Sequence, residues 1–308
     1  MTISAIVIAD SISSQGIRLT TFQLRYPRFI HAELMTHRTF SRNASSSRAI
    51  PVQKMIEDLR RDPAMPIYWG SNKPGMQAGE ELTGLNLDSA KTFWLQAMND
   101  AIEHADLMIG AGLHKQIANR ILEPWAHINV VVTATDYENF FALRRHADAQ
   151  PEIKALADAM WDAREANTPN LLQPGEWHLP YVGKNDLFVI GDYLRNFRKV
   201  AITEERVAEI AKKVSTARCG RVSYLTHDGR ETTLKEDLDL YDRLVGSMPL
   251  HASPAEHQAT PDQYNERDVM MARHGGWEPT QWEQPHLHGN LRGWIQNRKL
   301  LPGEFVEG

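Results

Sequence analysis

A single cysteine, Cys219, stands in 308 residues. An intrachain disulfide is therefore impossible, and one thiol in a chain of this length fits a reducing compartment. Basic blocks are also missing, and the net charge is −5. That balance disfavours binding along a nucleic-acid polymer, although a local anion site can sit on an acidic protein. No apolar run is long enough to span a bilayer, so no membrane association is expected. The opening stretch MTISAIVIADSISS has neither a basic leader nor a long apolar core. No signal peptide is expected, and the cytoplasm is the expected location. What is present is ordinary for a globular protein, with 42% apolar and 24% charged residues. The length exceeds the usual domain size but allows one elaborated domain.

Periodicity predicts mixed strands and helices, an α/β or α+β class and not a helical bundle. Residues 3–9 (ISAIVIA) and 127–133 (HINVVVT) read as short buried strands. Pro27 is expected to open a helix carrying Ile30 and Leu34, and Pro51 another carrying Val52, Met55, Ile56 and Leu59. Residues 62–88 read as a long surface loop, followed by an amphipathic helix through Trp94, Met98, Ala101, Ala105 and Met108. Ile117 and Ile121 continue helical spacing until Pro124. Asp136 is expected to cap a helix bearing Asn139, Phe140, Leu143 and Arg144, and Pro151 to start one with Ile153, Leu156 and Met160 inside. Residues 166–186 read as loop, Thr203 as the cap of a helix with Val207, Ile210 and Val214, and 232–247 as one more helix. From Pro249 onward little periodicity remains.

The densest polar cluster is THRTFSRNASSSRAIP, Thr36 to Pro51. Its small residues let backbone N–H groups converge, its hydroxyls add donors, and Arg48 offers a planar fork matched to phosphate. The segment precedes a predicted helix start, where free N–H groups favour anions. On composition alone, a solvated serine-rich loop is an equal reading.

Spacing favours the anion cradle. The segment resembles the signature of the flavin-dependent thymidylate synthases, RHRxxSxNExSxR, with His37, Arg38, Ser41, Asn43, Ser46 and Arg48 in register. Thr36 replaces the first Arg and Ala44 the Glu. Further on, Arg120 before Ile121-Leu122-Glu123-Pro124 resembles the family's Arg before Leu-Pro, with one extra residue. Asn139 to Arg144 (NFFALR) and Ala149 to Ile153 (AQPEI) resemble its NFxxLR and AQxEI segments. The family begins with ARVSY, a helix and HxSPxEH. Here the similar pieces, Arg221-Val222-Ser223-Tyr224 and His251-Ala252-Ser253-Pro254-Ala255-Glu256-His257, stand near the other end, so the order reads as circularly permuted. Permutation is tolerated when the parent termini lie close and the new break is in an exposed loop.

The resemblance implies a single catalytic domain over 1–308, in which blocks 1–165 and 200–260 form one site and 261–308 is an extension without an assigned role. It implies transfer of a one-carbon unit from methylenetetrahydrofolate to C5 of dUMP, with FAD as cofactor and NADPH as reductant, giving dTMP. Residue by residue, Ser46, Ser47 and Arg48 would hold the nucleotide, and Arg120 would reach its phosphate from a neighbouring subunit. Arg144 would polarise the pyrimidine, making Arg144, Arg48 and Ser46 the catalytic candidates. His37, Arg38, Ser41, Asn43, Asn139, Ser223 and His257 would lie on the flavin or folate side. A homotetramer or homodimer is implied. Thr36 and Ala44 motivate a related enzyme leaving a hydroxymethyl group or accepting dCMP. A third possibility is a nucleotide-binding module that has lost the flavin. Ser46 as a nucleophile lacks an evident activating base. His251, His257, His286 and His288 lack the acidic or cysteine ligands that would complete a metal site. Within GNLRGWIQNRK, Arg292, Trp294 and Arg298 read equally as functional or as packing residues.

Overall fold

β1 (Ser4–Ser13) and β2 (Arg18–Pro27) form an antiparallel hairpin in the computed structural model, which describes residues 3–222 and 230–304. Gly16, at φ +78°, supplies the left-handed residue that closes it. β3 (Ser41–Ala44), β4 (His127–Ala134) and β5 (Asn170–Leu172) complete a five-stranded sheet in the order β3-β4-β2-β1-β5. β2–β4 and β3–β4 are antiparallel, and β5 joins β1 in parallel.

Both faces of the sheet are covered, which explains why β4 reads as a continuous apolar run. One face carries Phe22, Leu24, Val130 and Val132, all fully buried. They pack against α5 (Glu138–Arg144) and α6 (Pro151–Glu165) through Tyr137, Phe140, Ile153 and Leu156. Side chains of this kind contribute roughly 1.5–3 kcal/mol each when withdrawn from water. On the other face, Val131 meets Tyr181, Cys219 and Val222. The last two belong to the end of α8 (Glu204–Arg221), which also packs on α7 (Lys184–Asp192).

A second apolar cluster joins α2 (Val52–Arg61), α3 (Gly84–Gly110), α4 (Lys115–Ala118) and the 3₁₀ turn Asn119–Trp125. α1 (His31–Met35) leads into β3, and α9 (Leu234–Val245) lies along α8. After α9, β6 (Ala259–Pro261) pairs with β7 (Trp294–Gln296), with α10 (Glu266–Gly275) between them. Among the described residues no helix is long and apolar enough to cross a membrane.

Most predicted helices are present. Thr203 caps α8 as expected by accepting from Arg206 N, and α9 adds a reciprocal capping box of Thr233 and Glu236 that the sequence reading does not name. Three readings differ. Pro27 ends β2, and helix begins only with the turn Arg28–Ile30. The cluster 36–51 is not all loop, because β3 lies inside it and pairs with β4. The region after Pro249 holds β6, α10 and β7.

Candidate functional site

The serine turn follows β3 directly. Ser45 N donates to Asn129 O at 2.8 Å, and Ser45 Oγ accepts from Asn129 N at 3.2 Å. Beneath it, the fully buried Asn119 donates through Nδ2 to Ser47 O at 2.7 Å and Ile50 O at 2.9 Å. Ser47 Oγ donates to Glu123 Oε1 at 2.6 Å, and the same oxygen receives Arg120 at 2.9 Å and Arg28 at 3.2 Å. Glu123 is therefore a hub that fixes the turn against two arginines. Arg120 makes this contact within its own chain, with half of its side chain exposed. Arg48, just past the turn, is exposed and has no polar partner among the described residues.

The turn forms one wall of a cleft of about 510 Å³. Ser45, Ser46 and Ser47 line it together with Arg25, Arg28, Lys54, Arg61 and His127, and Arg221 and Val222 come from the far end of the chain. Val222 takes φ +59°, a region that disfavours branched side chains and in which strain gathers at functional sites. Ser223 and Tyr224 lie outside the described residues.

His37, Arg38, Asn139 and Arg144 are grouped at the opposite end of β3. The register settles this: Ala44 faces Val130 near the serine turn, and Ser41 faces Thr133 near the start of α5. Arg144 divides its guanidinium among three acceptors, His37 Nε2 at 3.0 Å, Glu33 Oε2 at 3.3 Å and Thr36 Oγ1 at 3.3 Å. His37, packed on Phe40 and Phe140, has its pKa lowered by burial first and then by Arg144 and Arg42. Its neutral ring can accept that hydrogen bond. Arg38 and Asn139 are exposed, and Arg38 has no polar partner among the described residues.

Between these two ends runs a buried polar chain across four strands. The Asn43 amide is satisfied with Nδ2 facing His257 Nε2 at 3.2 Å, to which one proton is donated, and the Arg42 and Ser253 carbonyls, which share the other. His257 Nδ1 then donates to Thr133 Oγ1 at 2.8 Å, and Thr133 meets Thr21 Oγ1 at 2.7 Å. Thr21 meets His178 Nε2 at 2.7 Å, and His178 Nδ1 meets Ser11 Oγ at 2.9 Å. Every member can donate once and accept once in one direction. Burial pushes both imidazoles down to about 3, so both are neutral. His257, read from the sequence as a cofactor contact, has no exposed surface and sits behind β3. Its place in the chain fits a positioning role. Val222 nevertheless packs on Val131 and His257 bonds Thr133, so residues from both C-terminal segments reach β4 of the N-terminal sheet.

Ser41 is likewise fully buried. It donates to Asn290 Oδ1 at 3.1 Å and accepts from Gln296 Nε2 at 3.3 Å, while Asn290 Nδ2 donates to Thr39 O at 2.8 Å. Arg298 pairs with Glu256. These contacts give the C-terminal extension a place: it clasps the segment leading into β3. Sequence reading singled out Trp294 and Arg298 there and missed Asn290 and Gln296, whose only signal is tertiary. Arg25, Arg28, Lys54, Arg61 and His127 were also missed at the cleft. Cys219 is fully buried, and burial raises its thiol pKa well above the ordinary range, so it cannot serve as a thiolate nucleophile in this state. Among the described residues no group of three His, Cys, Asp or Glu is placed to hold a metal ion.

Residues 18–170 match the family described as thymidylate synthase complementing protein. Comparison with curated proteins by sequence gives no match. Among solved structures, the chain is similar to the UMP/dUMP methylase PolB from Streptomyces cacaoi bound with 5-Br UMP, at 19% identity and a TM-score of 0.43, covering 54% of this chain and 89% of that one. The same enzyme bound with 5-Br dUMP gives 18% identity and a TM-score of 0.45, covering 54% and 90%.

Proposed function

The chain belongs to the thymidylate synthase complementing protein family, and from that premise we propose that it alkylates carbon 5 of a pyrimidine nucleotide, with dUMP as substrate and dTMP as product. The observation that carries this reading is the serine turn: hydroxyls of Ser45 and Ser46 and several cations border one cleft, in a chain of net charge −5. Such a wall suits a nucleotide phosphate. Ser46, Ser47 and Arg48 hold the nucleotide in this reading, with Arg120 fixed beside them through Glu123.

Carbon 5 of uracil is a weak nucleophile. It becomes reactive when charge developing on the ring meets positioned cations and donors. Arg144 is the group for that task, its side chain about a fifth exposed and held by His37, Glu33 and Thr36. No cysteine adduct is needed, in keeping with the burial of Cys219.

The exposed donors fit FAD in part. Arg38 has the chemistry for its diphosphate, and Asn139 for its polar edges. Ser41, Asn43 and His257 serve behind them, holding β3. When bound, reduced flavin supplies the hydride that brings the transferred carbon to the methyl level, with methylenetetrahydrofolate and NADPH as co-substrates. Because Arg144 and the serine turn lie at opposite ends of β3, a site using both draws on two copies of the chain. A homodimer or homotetramer is therefore part of the proposal.

One observation favours a variant product. Thr36, where the family has Arg, is bonded to Arg144, so the pyrimidine's surroundings differ from the family pattern. Incubation with dUMP or dCMP, methylenetetrahydrofolate, FAD and NADPH, followed by mass analysis of the nucleotide, tests both readings. Gain of a methylene unit is expected, gain of a hydroxymethyl group would favour the variant, and no change in either nucleotide would overturn the proposal.

A further inference from the structure

His127 opens β4 and its ring lies in the wall of the cleft beside the serine turn. The side chain is only 4% exposed, and among the described residues its Nε2 has no hydrogen-bond partner. Buried polar atoms are nearly always paired, so an unpaired one beside a cleft points to a group that arrives with a ligand. The other side of the ring faces Asp62, with Nδ1 4.0 Å from the carboxylate.

The charges around the ring come from four elements: Arg25 on β2, Arg28 on the following turn, Lys54, Asp58 and Arg61 on α2, and Arg221 at the end of α8. Asp62 follows α2 and pairs with Arg25 at 2.9 Å. Asp58 is shared by Lys54 and Arg61, Arg28 pairs with Glu123 and Arg221 with Asp237, and five cations still face the two carboxylates that line the cleft. A positive, partly enclosed cleft with three serines at its rim has the chemistry of a phosphomonoester site.

We propose that this cleft is a phosphoryl-binding subsite in which a phosphomonoester dianion lies between the Ser45–Ser47 turn and Arg221, and His127 Nε2, taking up a proton, donates to one of its oxygens. The inference rests on the nucleotide reading of the serine turn and deepens it. In the free protein, burial first and Arg25 second push the His127 pKa down to about 4, so the ring is neutral at pH 7. A dianion against Nε2 brings the opposite charge, and the ring becomes a cation between phosphate and Asp62. Binding therefore takes up a proton, and affinity falls as pH rises through neutrality. The phosphomonoester is assigned to dUMP, and the 2′-phosphate of NADPH is the other source of the same chemistry that the test must separate.

Two measurements test this on the whole chain. The first is the NMR titration of the His127 ring in the unmutated protein, alone and with inorganic phosphate, dUMP, deoxyuridine, NADPH or NADH. The second is calorimetry at pH 7 in two buffers of different ionisation enthalpy. With phosphate and dUMP the His127 titration is expected to move up by about three pH units, to near neutrality or above, with net proton uptake at pH 7. Deoxyuridine and NADH are expected to leave it unmoved. His127→Gln is expected to abolish proton uptake and weaken dUMP about tenfold, the share of one charge-assisted hydrogen bond. A shift with NADPH but not dUMP would assign the subsite to the reductant and overturn its assignment to the substrate. dUMP binding with an unmoved His127 titration would overturn the subsite and leave the nucleotide reading standing. A phosphate-induced shift without dUMP binding would do the reverse.

Discussion

Arg48 and Arg144 show how differently the arginines of two matched family segments can be held. Arg144 is engaged by three acceptors, whereas Arg48 projects from the turn without a partner among the described residues. Arg48→Ala therefore removes no folded contact, and its effect on stability is expected to stay within about 0.5 kcal/mol. If Arg48 grips the nucleotide, dUMP affinity should drop about tenfold or more, since charge-assisted bonds to phosphate are the strong ones. Calorimetric binding beside a thermal melt reads both, and unchanged affinity would remove Arg48 from the site. The buried imidazoles give a second expectation at this scale. His178 and His257 have folded pKa values near 3, against an ordinary 6.5. Below pH 6.5 the unfolded chain binds protons that the folded chain does not, so stability is full above pH 6.5 and falls as pH drops toward 3. The two rings together give a slope of up to about 2.7 kcal/mol per pH unit in that window. Urea midpoints between pH 7 and 5 measure it, and a flat profile would refute the neutral chain. Residue-level reading of the sequence singled out Ser46 and Arg48 by the spacing of a signature; Ser46 stands in the cleft wall with Ser45 and Ser47, whereas Arg48 does not line it. That reading could not find His127, since a histidine opening a β-branched run looks like any strand residue until its unpaired nitrogen is seen.

At the level of elements, helices with a cap or a strong apolar stripe were legible, whereas α7, α10, the ten-residue β2 and the short strands were not. Thr203, Thr233 and Pro151 announce helix starts by local chemistry alone. β3, β6 and β7 are three or four residues long and exist because a distant partner completes them, which local periodicity cannot encode. The pair β6–β7 organises the extension that clasps β3. Trp294 anchors it, fully buried against Leu19 and Leu291, with Nε1 donating to Ile17 O at 3.3 Å. Gly293, at φ +77°, lets the chain pass Ile17, where an added Cβ would approach to 2.7 Å. Trp294→Ala should lower stability by about 3–5 kcal/mol, the range for emptying a large aromatic site. Its urea midpoint reports that loss. Gln296→Leu is the finer probe, because it leaves Ser41 and the Glu256 carbonyl without their donor while keeping the apolar anchor. A loss of about 1–3 kcal/mol is expected. A smaller loss would mean that the clasp contributes little to holding β3.

For the molecule as a whole, the sheet separates the two halves of the proposed site. Ser46 follows the Ala44 end of β3 and Arg144 stands beyond the Ser41 end, and four strand residues span roughly 13 Å. A pyrimidine held by Arg144 and a phosphate held at the serine turn of the same chain would need a path around β3. A second copy, related by a two-fold axis, can instead present its Arg144 to the first copy's serine turn, and symmetry then builds two equivalent sites. Complementation decides between these arrangements. Ser46→Ala and Arg144→Ala are each expected to be nearly inactive. In a mixed dimer, one site inherits both substitutions and the other inherits neither. Random exchange of equal amounts then restores about a quarter of the wild-type sites. Activity recovered on mixing, with a mass by light scattering at least twice that of the chain, would establish a shared site. A monomer, or a mixture no more active than its components, would require Arg144 and Ser46 to act within one chain, and the assignment of Arg144 to the pyrimidine would fail.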